Sequence, residues 1–590
     1  MFHLPAAVIG YHMLVMVPVH VFCISAIALI YRQLLTRRWY LVVKIGSYVL
    51  LLSLFYVLIF GSMRSWGDII TVKILSTYIK GFRSFLRSLP FSLRESEVVI
   101  GLFCLLPYLL TLLFIRPLER ACADLGNAPF LRKKPLIAIA VLLLLASPLA
   151  MKLKRTVHKG GEPVMVMLFD HMWGVTDNPL FSQRRIKVGF SDQQERKEYA
   201  AHKIQPLRKN VILIIVDAMR ADHLSAYGYG RKTTPFLDGL IASDKAVKID
   251  RCYSTCACTL CGVTSILLSR TWNDCAVNGF NIIGLLHDEG YRTHALISGA
   301  HKEWYNMAKF YSDDCDYYDG KDAKKYYFKD DRVLLEGMDR IGHASDTPAF
   351  FYFHMQSTHE TGLLQDKYTV YQPFKKSITT QGMNGEAAVN EYDDKVLQAD
   401  DMIRQLFEAL DRKGYLKNSM VIITADHGQG LGEHGVSGHV DWLYDPQVSV
   451  PLIIYDDSLA LYRQRTVARH IDIAPTIVDR LGLPQPRGWM GLSLLHDSIA
   501  TYSYHETGKN GLETGLQKYM IVYTPQFAHG DTASQRIYKY IFTAKTKQEE
   551  LYEVVSDPGE LHNLVESNKD ILSLLQHRRR HEKEEMFGND

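Results

Sequence analysis

Four long apolar runs in the first quarter of the chain constrain its fold more than any other feature. They cover residues 12–31, 45–63, 98–115 and 135–151. Each approaches the roughly 20 apolar residues that a helix needs to cross the hydrocarbon core of a bilayer. A cleaved signal peptide is the less favoured alternative for the first run, because no lysine or arginine precedes it and three further runs follow. The sequence predicts an α-helical transmembrane domain over residues 1–155 with about four spans.

A different pattern covers residues 65–95, where lysine and arginine lie between apolar residues at helical spacing. It predicts an interfacial helix on the membrane surface, with a fifth span as the alternative. Other cations lie in the loops between the first two spans and between the last two. Since cytoplasmic loops are enriched in lysine and arginine, we expect everything after residue 151 to lie outside. The cations of 65–95 argue the other way unless that helix contacts anionic headgroups.

After a polar stretch, predicted to be a linker over residues 156–208, short apolar runs alternate with amphipathic segments. Five runs are expected to be buried strands: NVILIIV, YRTHALIS, AFFYFHM, SMVIITA and VPLIIYD. An apolar stripe from Tyr392 to Leu410, at steps of four and three, predicts a helix packed by one face. This alternation predicts an α/β domain over residues 209–590 with a mainly parallel central sheet.

Charge and cysteine content narrow the function classes. The net charge of +4 is small for 590 residues, and the sequence has no basic stripe interleaved with aromatics, so nucleic acid is not an expected partner. An even set of cysteines in the polar part suits disulfides in an oxidising compartment, although spacing does not give the pairing. These residues are Cys252, Cys256, Cys258, Cys261, Cys275 and Cys315.

Metal-type ligands follow two of the predicted strands. Asp217 comes directly after NVILIIV, and Asp426 and His427 come directly after SMVIITA. A single carboxylate after a strand is often only a helix cap, so Asp217 alone would carry little weight. Because ligands gather at the carboxyl ends of parallel strands, the three residues together predict a metal site. Mixed oxygen and imidazole ligands suit zinc better than magnesium or calcium.

Six motifs resemble, in the expected order, those of the sulfatase branch of the alkaline phosphatase superfamily. They are VILIIVDAMRADHLSAYGYGRKTTPFLDGL, YSTCACTLCGVTSILLS, TADHGQGLGEHG, VPLII, HIDIAPTIVDRLGL and ELYEVVSDPGELHNL, and they span nearly all of residues 210–566. With the apolar segment in front, the chain further resembles the phosphoethanolamine transferases of Gram-negative envelopes. It is more distantly similar to the phosphoglycerol transferases that build lipoteichoic acid. The resemblance implies a multi-pass protein of the bacterial inner membrane whose catalytic domain faces the periplasm.

One departure from the sulfatase pattern concerns the nucleophile. Sulfatases carry C/S-x-P-x-R, whose first residue becomes formylglycine, whereas this chain has TLCGV, with Thr259 first, Cys261 for the proline and Val263 for the arginine. Threonine cannot give formylglycine, but a divalent cation can activate its hydroxyl. The arrangement resembles the transferases, in which threonine carries the phosphoryl intermediate. The alternatives are that Thr259 only caps a helix, or that Thr255, Ser254 or Cys261 is the nucleophile.

Histidines add to the resemblance. The segment FHMQSTHETG resembles the HxxxxH segment of the transferases, with His354 first and His359 last. His439 lies twelve residues after His427, the spacing that this family uses for a second substrate-site histidine. The resemblance implies that His359 and His439 orient phosphoryl oxygens or assist proton transfer. For His354 and for His434 a structural role is equally open.

The resemblance implies transfer of phosphoethanolamine from phosphatidylethanolamine to a sugar of lipopolysaccharide or another envelope glycan, through a phospho-threonine. The expected cofactor is one tightly bound zinc at Asp217, Thr259, Asp426 and His427, with a second, weaker ion as an option. Many transferases carry glutamate where this chain has Asp217, so the lipid A subgroup is not supported. The alternatives are a membrane-tethered hydrolase of phosphodiesters or sulfate esters, a phosphoglycerol transferase, and a non-catalytic glycan-binding or scaffolding protein.

Overall fold

The computed structural model describes residues 37–66, 75, 104–113, 192–201 and, with interruptions, 204–587. The interruptions are residues 276–277, 302–306, 308–309, 313–314, 375–384, 440–441, 464, 497–501, 507–517, 526–535 and 545. The chain divides into two compact units. One comprises Met1–Gln183 with Asn510–Thr514, and the other comprises Arg184–Lys509 with Gly515–Asp590.

The described part of the first unit is helical. Helix α1, Arg37–Trp66, contains the second predicted span, and residues 104–113 form helix within the third. The Ser47 and Tyr108 hydroxyls share a hydrogen bond of 2.8 Å. Among the residues that the structure describes, no helix combines the length and the apolarity needed to cross a membrane. The first and fourth predicted spans, and nearly all of 65–95, lie outside the described residues.

The second unit alternates strands and helices. Its strands are β1 Asn210–Val216, β2 Ala246–Lys248, β3 Arg251–Tyr253, β4 Arg292–Ile297, β5 Asp316–Asp319, β6 Ala349–Met355, β7 Ser419–Ala425, β8 Gly430–Leu431, β9 Ser437–Gly438, β10 Ser449–Val450, β11 Leu452–Tyr455, β12 Val467–Arg469, β13 Tyr502–Glu506, β14 Lys518–Tyr523, β15 Tyr538–Thr543 and β16 Gln548–Glu553. Its helices are α2 Asp192–Tyr199, α3 Pro235–Ala242, α4 Thr259–Leu268, α5 Ile282–Asp288, α6 Arg332–Asp339, α7 Glu386–Arg412, α8 Asp445–Val448, α9 Ile473–Arg480 and α10 Lys569–Phe587. The five predicted strands and the predicted one-face helix α7 are confirmed.

The central sheet has the strand order β2-β11-β7-β1-β6-β4-β5. The five strands from β7 to β5 are parallel, while β11 runs antiparallel to β7 and β2 antiparallel to β11. The sheet is therefore mixed, because VPLIIYD forms the antiparallel strand β11. The central strands β1, β6 and β7 are buried on both faces, which explains why they appear in the sequence as continuous apolar runs.

Helix α7 buries the apolar face that the sequence predicts. The apolar stripe of α7 is buried along its whole length, from Tyr392 to Leu410.

A separate antiparallel sheet, β13-β14-β15-β16, lies near the carboxyl terminus and packs Ile521, Tyr540 and Leu551 against Leu572 and Leu575 of α10. The sheet and helix bury an apolar core of their own.

The cysteines form fewer disulfides than their even number suggests. Cys256 and Cys261 are bonded, with their Cα atoms 6.2 Å apart. Four other cysteines of the described polar part form no disulfide there, and they are Cys252, Cys258, Cys275 and Cys315. The Cys256–Cys261 bridge closes the short loop that carries Thr259.

Candidate active site and metal centre

The register of the central strands determines which side chains meet at the sheet edge. Val216, the last residue of β1, lies opposite Met355 of β6 and Ala425 of β7. The three strands therefore end at the same level. The next residues along the chain, Asp217, Gln356 and Asp426, emerge side by side as a consequence.

The two carboxylates at this edge are arranged alike. Asp426 Oδ1 accepts hydrogen bonds from the backbone amides of Ala218 (3.1 Å) and His427 (2.9 Å), and Asp217 Oδ2 accepts one from Gln356 Nε2 (2.8 Å). The other oxygens, Asp217 Oδ1 and Asp426 Oδ2, are buried and have no hydrogen-bond partner among the described residues. Each of these two oxygens lies 3.6 Å from His427 Nε2. Both carboxylates thus turn one unsatisfied oxygen to the same point.

His427 presents a lone pair to that point. Its Nδ1 lies 2.8 Å from the Gly428 carbonyl oxygen, which only accepts, so Nδ1 carries the proton and Nε2 is left with a lone pair. Burial lowers the pKa of His427 to about 4, so the ring is neutral. A neutral imidazole with a free Nε2 is the form that ligates a metal.

The donor set fits a divalent cation. Burial, and secondly the charge of Asp426, raises the pKa of Asp217, and burial likewise raises the pKa of Asp426. Two adjacent buried carboxylates are costly unless a cation compensates them. The ligand atoms of Asp217, Asp426 and His427 lie within 4.8 Å of one another. Two carboxylates with one imidazole suit zinc.

Thr259 is the first residue of α4, and its side chain lies beside these candidate ligands. Its Oγ1 lies 3.2 Å from His427 Nε2, and Cys258, not Thr259, is the N-cap. The close approach depends on Gly262, where a Cβ would lie 2.2 Å from the Asp426 carbonyl oxygen. Thr259 therefore does not act as a cap. Its hydroxyl lies at the amino terminus of a helix, where backbone N–H groups favour an anion.

The other nucleophiles suggested by the sequence are engaged elsewhere. Cys261 is bonded to Cys256. The Ser254 hydroxyl is buried and donates to the Cys256 carbonyl oxygen at 2.8 Å, and the Thr255 side chain is buried too. Of these hydroxyls and thiols, Thr259 is the one that is hydrogen-bonded to His427, one of the three candidate metal ligands.

His359 lies at the rim of the cluster, beyond the end of β6. Its Nδ1 accepts the backbone N–H of Thr361 (3.2 Å) and lies 2.9 Å from Thr361 Oγ1. With Nδ1 accepting, the ring proton of the neutral histidine must be on Nε2. Burial, followed by the charge of Lys329, holds the pKa of His359 well below its usual range. His359 is therefore a neutral ring that donates from Nε2.

His439 complements His359. Its ring centroid lies 5.5 Å from that of His359 and 4.3 Å from that of His427. Its Nδ1 lies 2.7 Å from Gln429 Oε1, an acceptor, so Nδ1 carries the proton and Nε2 has a lone pair. Burial, and then His427, lowers the pKa of His439 to about 3. The two predicted substrate-site histidines therefore meet, one as a donor and one as an acceptor.

Two further histidines, His354 and His301, lie at this edge of the site, and the sequence assigned a definite function to neither. His354 Nε2 lies 3.5 Å from Asp217 Oδ2, and its Nδ1 lies 3.0 Å from the Tyr352 hydroxyl. His301 Nε2 lies 3.0 Å from Gln356 Nε2. His301 follows β4 at the same sheet edge, so its place after YRTHALIS was a usable signal. His354 was recognised, with a structural role left open.

Lys329 was missed entirely. Its ammonium is buried and donates to Thr361 Oγ1 at 2.5 Å. Burial lowers the pKa of Lys329 to about 8, against the opposing charges of Asp217 and Glu360. The segment YYFKDD gives no sign in the sequence that this lysine faces the site.

His434 lies apart from the cluster despite sharing its loop. Its ring stacks on Tyr444 with centroids 3.8 Å apart, and its Nε2 lies 3.1 Å from the Gly559 carbonyl oxygen. These contacts favour the structural role that the sequence left open for this histidine.

The domain that carries this site resembles known sulfatases in sequence. Residues 209–483 match the family model described as sulfatase. A Delta 4,5-hexuronate-2-O-sulfatase of Bacteroides thetaiotaomicron is 29% identical over 169 residues, which are 28% of this chain and 34% of that protein. Arylsulfatase K of Bos taurus is 28% identical over 193 residues, 30% of this chain and 33% of that protein. The match thus spans about a third of the length of these relatives.

One solved structure shows the fold of this domain, and a second aligns with it less closely. The structure titled BT4656 in complex with its substrate D-glucosamine-2-N,6-O-disulfate aligns with a TM-score of 0.52 at 16% identity, over 65% of this chain and 99% of that chain. The soluble domain of lipooligosaccharide phosphoethanolamine transferase A from Neisseria meningitidis aligns with a TM-score of 0.42 at 17% identity, over 49% of this chain and 92% of that chain. The first likeness establishes the fold of the domain and not its substrate.

Proposed function

We propose that this chain, whose residues 209–483 form a sulfatase domain of the alkaline phosphatase superfamily, transfers phosphoethanolamine from phosphatidylethanolamine to a sugar of lipopolysaccharide or another envelope glycan. The observation that carries the proposal is the hydroxyl of Thr259, placed 3.2 Å from His427 Nε2. A threonine cannot become formylglycine, so the site lacks the sulfatase nucleophile and keeps an oxygen that can form a phosphoester.

The reaction has two half-reactions that share Thr259. In the first, Thr259 Oγ1 forms a bond to the phosphorus of the donor lipid, and the bond from phosphorus to the diacylglycerol oxygen breaks. In the second, a sugar hydroxyl forms a bond to the same phosphorus, and the bond to Thr259 breaks. The amino terminus of α4 stabilises charge on the phosphoryl oxygens, and His359 Nε2 carries a proton that can be donated to an oxygen on phosphorus.

Asp217, Asp426, His427 and Thr259 would hold the cofactor. A zinc ion bound there supplies a Lewis acid that lowers the pKa of the threonine hydroxyl and offsets the charge of the two carboxylates. A second, weaker ion fits the group Asp217, His301 and His354, whose ligand atoms also lie within 4.8 Å of one another.

The proposal includes the bacterial inner membrane as the location, with the catalytic domain in the periplasm. The four apolar runs of the sequence support a membrane domain, and a donor that resides in the bilayer requires an enzyme held beside it. The Cys256–Cys261 disulfide supports an oxidising compartment for the loop that carries Thr259.

A membrane-tethered hydrolase of phosphodiesters or sulfate esters is the second candidate. It is favoured by the names of the relatives, which are sulfatases. A hydrolase would share the site and would pass the group on Thr259 to water rather than to a sugar.

Product analysis separates these candidates. Full-length protein with zinc is incubated with phosphatidylethanolamine labelled in the ethanolamine carbons and with lipopolysaccharide, next to the Thr259→Ala variant. Transfer predicts equal amounts of diacylglycerol and labelled glycan, both absent with the variant. Label recovered as free phosphoethanolamine would make the protein a hydrolase. Sulfate release from a sulfated glycan, with no diacylglycerol formed, would overturn the proposal.

A further inference from the structure

We infer that Lys329 and Thr361 form a proton relay to His359, through which the leaving oxygen is protonated in the first half-reaction and the proton is recovered in the second. The inference rests on the proposed transfer reaction, which produces an alkoxide as its leaving group. Lys329 and Thr361 are thereby positioning residues, and His359 is the group that meets the substrate.

The direction of the hydrogen bonds defines the relay. Lys329 Nζ donates to Thr361 Oγ1 at 2.5 Å, since an ammonium has no lone pair with which to accept. The Thr361 hydroxyl proton is then available for His359 Nδ1, 2.9 Å away. The backbone N–H of Thr361 also donates to this nitrogen at 3.2 Å. His359 Nδ1 is therefore held as an acceptor at the end of a chain that begins at a cation.

The local fold keeps the two segments of the relay together. Asp331, two residues after Lys329, accepts the backbone amides of Gln356 (2.7 Å) and Ser357 (2.9 Å). These amides begin the segment that carries His359 and Thr361. The Leu363 amide in turn donates to the Lys329 carbonyl oxygen at 3.4 Å. The contact between Lys329 and Thr361 is thus fixed by backbone bonds on both sides.

The chemistry of His359 requires such a relay. A neutral imidazole that donates its Nε2 proton and gains nothing at Nδ1 becomes an imidazolate, which is far too basic to form at neutral pH. A proton arriving at Nδ1 as the Nε2 proton departs keeps the ring neutral. Lys329 can supply that proton through the Thr361 hydroxyl.

The protons balance over one cycle. While Thr259 Oγ1 bonds to phosphorus and the bond to the diacylglycerol oxygen breaks, that oxygen takes the His359 Nε2 proton. The Thr361 hydroxyl proton moves to His359 Nδ1, and a Lys329 proton moves to Thr361, which leaves a neutral amine. The proton of the Thr259 hydroxyl is lost to solvent before the attack. In the second half-reaction the sugar hydroxyl gives its proton to His359, Lys329 is recharged, and Thr259 regains its proton.

The test compares two donors that differ in their leaving group. With phosphatidylethanolamine the leaving group is the diacylglycerol alkoxide, which needs a proton. With the p-nitrophenyl ester of phosphoethanolamine the leaving group is a stable phenolate, which needs none. For Thr361→Val we expect kcat with the lipid to fall on the order of 100-fold, the usual size of general acid catalysis, with KM unchanged. With the aryl ester, kcat should stay within about threefold of wild type. Thr361→Ser, which keeps the hydroxyl, should restore the lipid reaction.

Lys329→Met should show the same selective loss. The matched control is Lys395→Met, which removes a second buried lysine, bound to the Glu360 carbonyl oxygen at 3.1 Å on the same segment but not to Thr361. Any change that Lys395→Met causes in kcat should be the same with the lipid and with the aryl ester. Thr361→Val covers the case in which Lys329→Met does not fold, because threonine and valine have the same shape.

The outcomes separate the relay from the transfer reaction. Equal loss with both donors in Thr361→Val, or no loss with either, overturns the relay while transfer by wild type stands. Wild-type protein that turns over neither donor overturns the proposed function and the relay with it. Selective loss of the lipid reaction, with rescue by serine, establishes the relay.

Discussion

The two halves of the active site differ in what they offer to a ligand. At the strand ends, Asp217, Asp426 and His427 present lone pairs, and two of their oxygens are buried without a hydrogen-bond partner among the described residues. In the second half, His359 presents its Nε2 proton, and Lys329 donates to Thr361 behind it. The first half suits a cation and the second suits an anionic ester with a poor leaving group. Because the halves are complementary, each should fail in its own way when altered.

The halves also differ in what holds them. The register of β1 and β7 fixes the first, with Val216 and Ala425 side by side. Hydrogen bonds between loops fix the second, where Asp331 binds the backbone that leads to His359. Strand register is rigid, so substitutions in the first half should change chemistry more than geometry. The loops of the second half depend on side chains to keep their shape.

The largest effect is expected for Thr259, which joins the two halves. Thr259→Ala should abolish transfer, because no other described hydroxyl of its loop contacts Asp217, Asp426 or His427. Folding should be retained, since even at a helix cap such a loss typically costs about 1 kcal/mol. Thr259→Ser should keep part of the activity. Labelled-lipid assays on purified variants with matched thermal unfolding midpoints give the comparison, and undiminished transfer by Thr259→Ala would contradict it.

The next effect concerns metal content. Wild type should bind about one zinc per chain tightly, and replacement of both Asp426 and His427 by alanine should remove it, because two of the inward-facing ligands are lost. Elemental analysis after dialysis measures this. His434→Ala is the matched control, as it removes a histidine from the same loop and should keep the zinc. Undiminished zinc in the double variant would place the metal elsewhere.

A smaller effect concerns the metal-free fold. Burial raises the pKa of Asp217, so the folded protein binds that proton more tightly than the unfolded chain does. The contribution of this group to metal-free stability is therefore full at low pH and is lost as pH rises through the raised value. Asp217→Asn removes this penalty. In chelator near pH 7 the variant should therefore unfold at a higher temperature than wild type.

The pH series provides the check on that expectation. The advantage of Asp217→Asn should shrink as the pH falls towards the ordinary carboxyl pKa of about 4. Added zinc should reverse the order, because the variant has lost a charged ligand. Equal melting of the two metal-free proteins at every pH would mean that the burial of Asp217 carries no electrostatic cost.

The smallest effect is expected at His434. His434→Ala loses stacking on Tyr444 and a hydrogen bond to Gly559, which should cost about 1 kcal/mol of stability. Transfer activity should stay at the wild-type level, because the ring does not contact either half of the site. Steady-state kinetics and a melting curve measure both, and a tenfold loss of kcat would assign His434 to the site.

The first half of the site could be predicted from the sequence because its residues follow recognisable strands. Apolar runs located β1 and β7, and parallel strands bring Asp217 and Asp426 to one edge. The antiparallel direction of β11 was not predicted, because its run VPLIIYD has the same apolar pattern as a parallel strand. The resemblance of the motif located Thr259, which the structure places beside His427.

The second half could be predicted only in part. His359 and His439 were found through the spacing of a family pattern. Lys329 and Thr361 were not, because their contact joins a turn before α6 to a loop after β6, and neither segment has a pattern that indicates a site. The Cys256–Cys261 bridge likewise depends on the turn that precedes α4, and cysteine counting could not give it.

The most direct measurement is the location of the covalent intermediate. Wild-type protein is incubated with labelled phosphatidylethanolamine without acceptor, quenched in acid, digested and analysed by mass spectrometry. A phosphoethanolamine group on Thr259, absent from Thr259→Ala and removed when lipopolysaccharide is added before the quench, is the predicted result. The same group on Thr255 or Ser254, or turnover with no adduct on any residue of this loop, would contradict a threonine nucleophile at position 259.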